Sequence, residues 1–312
     1  MPDTRRIHRV LKSRPTLEGA GVHLHRAFGF GDTDLYDPFL LLDDFRSDEP
    51  SQYLKGFPWH PHRGIETITY VLRGDVEHGD SLGNRGVISS GDVQWMTAGS
   101  GIIHQEMPKG DARGAMHGFQ LWANLPASQK MMDPRYRGLT SDQIPESVDS
   151  SGNRVKVIAG AVNGVQGPVR DVVIDPEYID VTVVPGGSFT HSTPRDHTVF
   201  AYVIGGRGVF CHQRDPYSYE AEGANYFDME RGSMIADGHL VLFGEGDAVS
   251  VSCEDEGVRF LLVSGRPLKE PVAWYGPIVM NTQEQLQVAF EELQKGTFIK
   301  AQKDSDRGKT KR

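Results

Sequence analysis

The sequence predicts an all-β protein built from two copies of a barrel-like unit in tandem, with one short helix after them. Three observations lead there. Glycine (36) and proline (18) make up about a sixth of the 312 residues, above the roughly 12% of average usage, and they punctuate short apolar runs such as residues 67–72 and 260–263. The second half echoes the first: residues 200–204 followed by Gly205-Gly206-Arg207-Gly208 are patterned like residues 68–72 followed by Arg73-Gly74-Asp75, and Gly244-Glu245-Gly246-Asp247 is patterned like Ser89-Ser90-Gly91-Asp92. Near the C-terminus, Leu286, Phe290 and Leu293 fall at helical spacing with Gly296 just beyond, which predicts a capped helix over 282–294 that packs on a barrel.

Taken in order, the first half reads as strand after strand from residues 6–12 through 121–124, with turns at Arg73-Gly74-Asp75, Leu82-Gly83-Asn84 and Ser90-Gly91-Asp92. Residues 129–152 are polar and contain Asp133-Pro134 and Ile144-Pro145, so they are expected to form an irregular surface connector before strands resume at 155–159. A chain of this length accommodates two domains. The expected division is 1–150 for the first barrel and 151–312 for the second barrel with its helix and a basic tail. That tail carries Lys300, Lys303, Arg307, Lys309, Lys311 and Arg312 without interleaved aromatics, the pattern of a solvated terminus rather than a nucleic-acid patch.

Charge and composition exclude several classes of function. Lys and Arg number 33 against 42 Asp and Glu, a formal charge of −9, which offers no general basic field for holding a phosphate backbone. Direct nucleic-acid binding is therefore not expected. No apolar run approaches the ~18 residues of a membrane-spanning helix, and residues 1–10 lack a signal-peptide core. The expected setting is the cytoplasm, or the nucleus in a eukaryote. Two cysteines, Cys211 and Cys253, are too few for a disulfide framework and read as buried thiols in a reducing compartment.

The chemistry concentrates in two pairs. His60 and His62 are two apart, as are His104 and Glu106, and residues i and i+2 of a strand point to the same face, so each pair can aim both donors at one point. Three imidazole nitrogens and one carboxylate suit a single divalent first-row metal with positions left open for water, dioxygen or an organic oxygen. Iron is favoured by the nitrogen-rich set, and manganese, nickel, copper and zinc share the same ligand types. Aligning the repeat on Tyr70/Tyr202 and Gly74/Gly206 puts Ser192 and Pro194 at the places of His60 and His62. Aligning on Gly91/Gly246 puts Arg259 and Leu261 at those of His104 and Glu106, so only the first copy is expected to keep a metal.

Glu66, four residues past His62, could reach the same metal or hold a ligand imidazole by hydrogen bond. Phe57, Trp59, His117 and Phe119, with Gln120 and Trp122, lie near the ligand strands and are expected to line an apolar pocket for a flat organic molecule. The remaining histidines, His8, His23, His25, His78, His191, His197, His212 and His239, are expected to be surface or hydrogen-bonded residues.

These motifs resemble a known family. Gly56-x-x-x-His60-x-His62-x-x-x-Glu66 with Gly74 resembles the first cupin motif, and Gly91 with Gly99-x-Gly101-x-x-His104-x-Glu106 the second. More specifically, residues 60–67, 91–99 and 103–107, followed by 120–125 and Lys130-Met131, are similar to the pirin family of bicupins, over roughly residues 5–295. The resemblance implies two cupin (jelly-roll-like) β-barrels, with one iron held by His60, His62, His104 and Glu106 in the first and none in the second, Glu66 not ligating.

The same resemblance implies two kinds of function, because the family includes quercetin 2,3-dioxygenases, which cleave a flavonol with dioxygen and release carbon monoxide, and regulatory proteins that act through protein partners. Under the first, the partners are a small aromatic substrate and dioxygen. Glu106 is then both ligand and catalytic base for the substrate hydroxyl proton, and the aromatic residues shape the pocket. Under the second, iron oxidation state alters surface electrostatics that a protein partner reads, and the basic cluster Arg5, Arg6, Arg9, Lys12 and Arg14 is a candidate surface. A metal that serves mainly to stabilise the barrel is the third reading.

Overall fold

The computed structural model describes residues 3–222 and 232–300, so the tail residues Lys303 to Arg312 lie outside the described residues. The body of the described residues is β-strand throughout, as the sequence predicts, and among them the one long helix is Gln283–Gln294. Among the described residues no helix is long and apolar enough to cross a membrane.

The chain divides into two compact units, each discontinuous in sequence. One joins the residues up to Arg14 to Asp142–Pro267. In it Ile7–Lys12 pairs antiparallel with His239–Phe243 inside an eleven-stranded sheet. Its core is dense with β-branched and aromatic side chains, among them Val181, Val203, Phe210, Val251 and Phe260, the residue types that pack best on a pleated surface. Tyr202, Arg259 and Leu261 sit on its central strands Thr198–Phe210 and Val258–Gly265, where Arg259 makes a two-bond ion pair with Asp180 and Leu261 is fully buried. Cys211 and Cys253 are free, buried thiols in this unit.

The other unit joins Pro15–Ser141 to the residues from Leu268 onward. A seven-stranded antiparallel sheet runs in the order Arg135–Leu139, Val93–Thr97, Ile65–Arg73, His117–Asn124, Phe39–Asp44, Val22–Phe28 and Arg14–Glu18. A second sheet of four strands runs Phe57–His62, Ile102–Pro108, Val76–Asp80 and Arg85–Ile88. Part of the expected connector is thus a strand: Arg135–Leu139 adds to the edge of Val93–Thr97, because pairing on one side satisfies its backbone even though its side chains are polar.

The segment after Leu268 belongs to this unit through named contacts. The hairpin Ala273–Tyr275/Ile278–Met280 contributes Ala273, Ile278 and Met280, the helix Leu286 and Ala289, and the segment after it Phe298, to one apolar cluster. Thr282 caps the helix in a reciprocal box with Gln285, and Gly296 takes the left-handed conformation (φ +70°) that ends it. Arg63, fully buried, donates to the carbonyls of Ser100 (2.7 Å) and Phe298 (2.9 Å) and pairs with Glu292 at 2.8 Å. Lys130 donates to Gly64 O, Asn124 Oδ1 and Val279 O at 2.9, 2.7 and 3.1 Å. Burial pushes its amine down to about 7. Gly64 is left-handed (φ +79°), and a Cβ there would stand 1.9 Å from Val279 O, so only glycine lets the hairpin seat against it.

Candidate metal centre

Two strands of the smaller sheet carry the donors. Phe57–His62 pairs antiparallel with Ile102–Pro108, placing His104 opposite His60 and Ile102 opposite His62. Strand alternation then brings the three imidazoles together, with ring centroids 4.4 to 4.9 Å apart. Their nitrogens all lie within 4.8 Å of one another. A bulge follows, so Glu106 faces Phe57 and the strand keeps an extra residue between Phe57 and His60. Gly56 (φ +59°) makes the entry to that strand, where a Cβ would stand 2.8 Å from Glu106 O.

Hydrogen bonds fix the tautomers of two imidazoles. His60 Nδ1 lies 2.8 Å from Pro58 O and His62 Nδ1 lies 3.0 Å from Pro277 O. A carbonyl only accepts, so each Nδ1 carries a proton, and Nε2 is the atom left to present a lone pair to a metal. Those two Nε2 atoms face each other at 3.0 Å, an arrangement that is repulsive unless a cation lies where both lone pairs point. His104 is 1% exposed, yet neither of its ring nitrogens has a hydrogen-bond partner, although buried polar atoms are nearly always satisfied.

Burial, reinforced by the neighbouring imidazoles, holds the pKa values of His62 and His104 well below the usual histidine range. Three imidazoles aimed at one point, those of His60 and His62 with their far nitrogens held by backbone carbonyls, are what a divalent metal requires. The residues therefore fit a metal.

Glu106 projects from the same face of its strand as His104 and is buried. Its carboxylate oxygens accept from Thr69 Oγ1 (2.7 Å) and Gln120 Nε2 (2.6 Å), while Gln120 Oε1 accepts from Trp122 Nε1 at 2.9 Å. Among the described residues the close donor cluster comprises the three histidines, and Glu106 stands outside it. Glu66 belongs to a different face. Its oxygens accept from Trp95 Nε1 (3.1 Å) and Thr97 Oγ1 (2.6 Å), its cross-strand neighbours, whereas Thr69, three residues on, points to Glu106. Burial raises the Glu66 carboxyl and these two donors pull it back.

A cavity of about 560 Å³ opens beside His60 and His62, walled by Phe57, Leu41, Trp122, Trp274 and Phe30. Of the six residues expected from sequence to line it, Phe57, Gln120 and Trp122 do so. Trp59, His117 and Phe119 are not among its lining residues, and alternation explains each. Trp59 is offset by one from His60 and is half-exposed. His117 and Phe119 are on the opposite face of their strand from Gln120 and Trp122, with Phe119 buried against Tyr70 and His117 3.5 Å from Asp44. Trp274 escaped the sequence reasoning altogether. It arrives from the C-terminal hairpin, 5.9 Å from Trp122 and 5.5 Å from Phe30 by ring centroids, and only its place in a Trp-Tyr-Gly-Pro turn singles it out.

Residues 21–123 match the family model Pirin, and residues 178–299 match Pirin C-terminal cupin domain. The chain is 42% identical over 295 residues to a Pirin-like protein of Caulobacter vibrioides, covering 94% of this chain and 99% of that one. It is 36% identical over 314 residues to Pirin of Homo sapiens, covering 99% and 98% respectively. Its fold is similar to the crystal structure of quercetin 2,3-dioxygenase from Acinetobacter baumannii, with a TM-score of 0.80 and 29% identity over 95% of this chain and 98% of that one. Two tandem cupin units, a cluster of three imidazoles and this similarity along almost the whole chain agree: the chain belongs to the pirin family.

Proposed function

We propose that this chain is a metal-dependent dioxygenase of the quercetin 2,3-dioxygenase type, opening the ring of a flavonol or related aromatic with dioxygen and releasing carbon monoxide. One divalent ion, iron foremost, is held by His60, His62 and His104 with Glu106 as the fourth donor. The metal supplies a Lewis acid for a substrate oxygen and a redox partner for dioxygen. The observation that carries the reading is the pair of facing Nε2 lone pairs, 3.0 Å apart, on two histidines that also line a 560 Å³ cavity.

The chain's own residues supply the rest. Phe57, Trp122 and Trp274 offer faces on which a flat ring stacks and from which water is excluded. Glu106 takes the proton of the substrate hydroxyl, and Thr69 and Gln120 hold its carboxylate in place while occupying only one lone pair on each oxygen. The similarity to the Acinetobacter baumannii enzyme supports this substrate class. Two buried free thiols and no disulfide among the described residues support a reducing, cytoplasmic setting.

The test is anaerobic reconstitution of the metal-free chain with iron, manganese, nickel or copper, followed by oxygen uptake with quercetin. At least one form should consume oxygen and quercetin together, and His60→Ala should lose both the stoichiometric metal and the turnover. Failure of all four forms to turn over quercetin would overturn the enzymatic reading.

A further inference from the structure

The cavity has a polar floor as well as aromatic walls, and the floor is a single cross-strand row. Arg26 faces Asp43 across one pair of strands, Asp43 faces Gln120 across the next, and Gln120 faces Thr69 across a third. At one end of the row Gln120 and Thr69 hold Glu106 beside the histidines. At the other end Arg26 donates Nε and Nη2 to the two oxygens of Asp43, both at 2.7 Å, and its Nη1 lies 2.9 Å from Glu18 Oε1. Glu18, Arg26 and Asp43 all line the cavity with His60 and His62.

Burial raises the Asp43 carboxyl and its two bonds from Arg26 pull it back; with both carboxylates ionised, the one guanidinium they share leaves this end of the cavity with one net negative charge. Burial opposes the charge on Arg26, but its bonds to Asp43 and Glu18 outweigh burial and raise its pKa above the ordinary value. Three of the five N–H groups of Arg26 are engaged by these carboxylates, which retain lone pairs and carry the excess charge. Such a wall accepts hydrogen bonds from neutral hydroxyls and repels an anion.

We infer that Glu18, Asp43 and Arg26 form a specificity wall that selects flat aromatic substrates bearing neutral hydroxyl groups at the end remote from the histidines and rejects those carrying an anionic group there. The inference rests on the metal-centred aromatic site proposed above and adds to it the residues that discriminate among substrates. Between the two polar ends the ligand meets Phe57, Leu41 and Trp122, so recognition combines a stacked apolar body with a polar far edge.

The test is calorimetric binding to the full chain loaded with nickel(II) under argon, using quercetin, 3-hydroxyflavone, which keeps only the metal-directed hydroxyl, and quercetin sulfonated on its pendant ring. Quercetin should bind about tenfold more tightly than 3-hydroxyflavone, the range for one or two hydrogen bonds to charged groups. The sulfonate should bind at least about tenfold more weakly than quercetin. Glu18→Gln, on a half-exposed side chain, should shrink the sulfonate penalty to about threefold or less, and Asp43→Asn, accepted with a wild-type circular dichroism spectrum, should shrink it too. Equal binding of quercetin and its sulfonate by the wild type, or a penalty unchanged in both variants, would overturn the wall while leaving the metal site standing. If 3-hydroxyflavone fails to bind, or binds equally to His104→Ala, the metal-centred reading falls and the wall falls with it.

Discussion

Replacing His104 by leucine should move the stability of the metal-free and metal-loaded proteins in opposite directions. The ring is 1% exposed with both nitrogens unpartnered, and each buried, unsatisfied polar group costs about 1–3 kcal/mol. Leucine is close in volume, so its packing penalty stays below about 1.5 kcal/mol. Two such groups less that penalty leave the metal-free variant more stable than the metal-free wild type by about 0.5–6 kcal/mol. In a unit of this size each kcal/mol raises the melting midpoint by about 2–4 °C.

Metal reverses the order. At a free concentration of about a thousand times Kd the wild type gains about 4 kcal/mol, or about 8–16 °C. The variant, left with two imidazoles and Glu106, should gain less than about 2 °C. Scanning calorimetry of chelator-treated and reconstituted samples, with metal content measured in parallel, reads both signs. A metal-free variant less stable than wild type by more than about 2 kcal/mol would mean that His104 is an ordinary packed core residue, and a wild-type metal shift in the variant would remove it from the ligand set.

Gln120→Leu removes one of the two donors that hold Glu106 and should weaken metal binding by about 10–100-fold without loss of fold; competition with a chromophoric chelator measures this, and unchanged affinity would mean that the carboxylate needs no such hold. Asp111 accepts from the backbone amide of Ala115 (3.0 Å), from Arg73 Nε (2.6 Å) and from the amide of Arg113 (2.8 Å), and these hold its carboxyl down at about 2, below the ordinary 3.8. Its folded value is below the unfolded one, so the stabilisation is present above the unfolded value of 3.8 and is lost as pH falls through about 2. Titration of its carboxyl carbon by NMR should show the lowered midpoint, and one at the ordinary value would contradict the assigned contacts.

The parts legible in the sequence were those governed by alternation and local caps. His60/His62 and His104/Glu106 stand out because an i, i+2 spacing on a strand fixes a shared face without knowledge of the partner strand. The Thr282–Gln294 helix is legible for the same kind of reason, since its cap, its periodic apolar residues and Gly296 all lie within fifteen residues.

The pocket was less legible, because which face of His117–Asn124 turns inward is decided by the register with Ile65–Arg73 and Phe39–Asp44, long-range pairings that local sequence does not encode. Phe57 joins the cavity only because a bulge separates it from His60. Neither the Arg26–Asp43 pair, which is 17 residues apart in sequence, nor the arrival of Trp274 has any local signature. Chain order likewise gives no hint that Ile7–Lys12 pairs with His239–Phe243.

The Trp274–Pro277 turn has a consequence for biosynthesis. It carries a wall of the cavity and the carbonyl that orients His62, yet Asp142–Pro267 intervenes between it and the histidine strands. At roughly 5–20 residues per second a ribosome needs on the order of ten seconds to cross that interval. During that time the nascent histidines have emerged without their finishing turn, so tight capture of the ion should be among the last events in maturation.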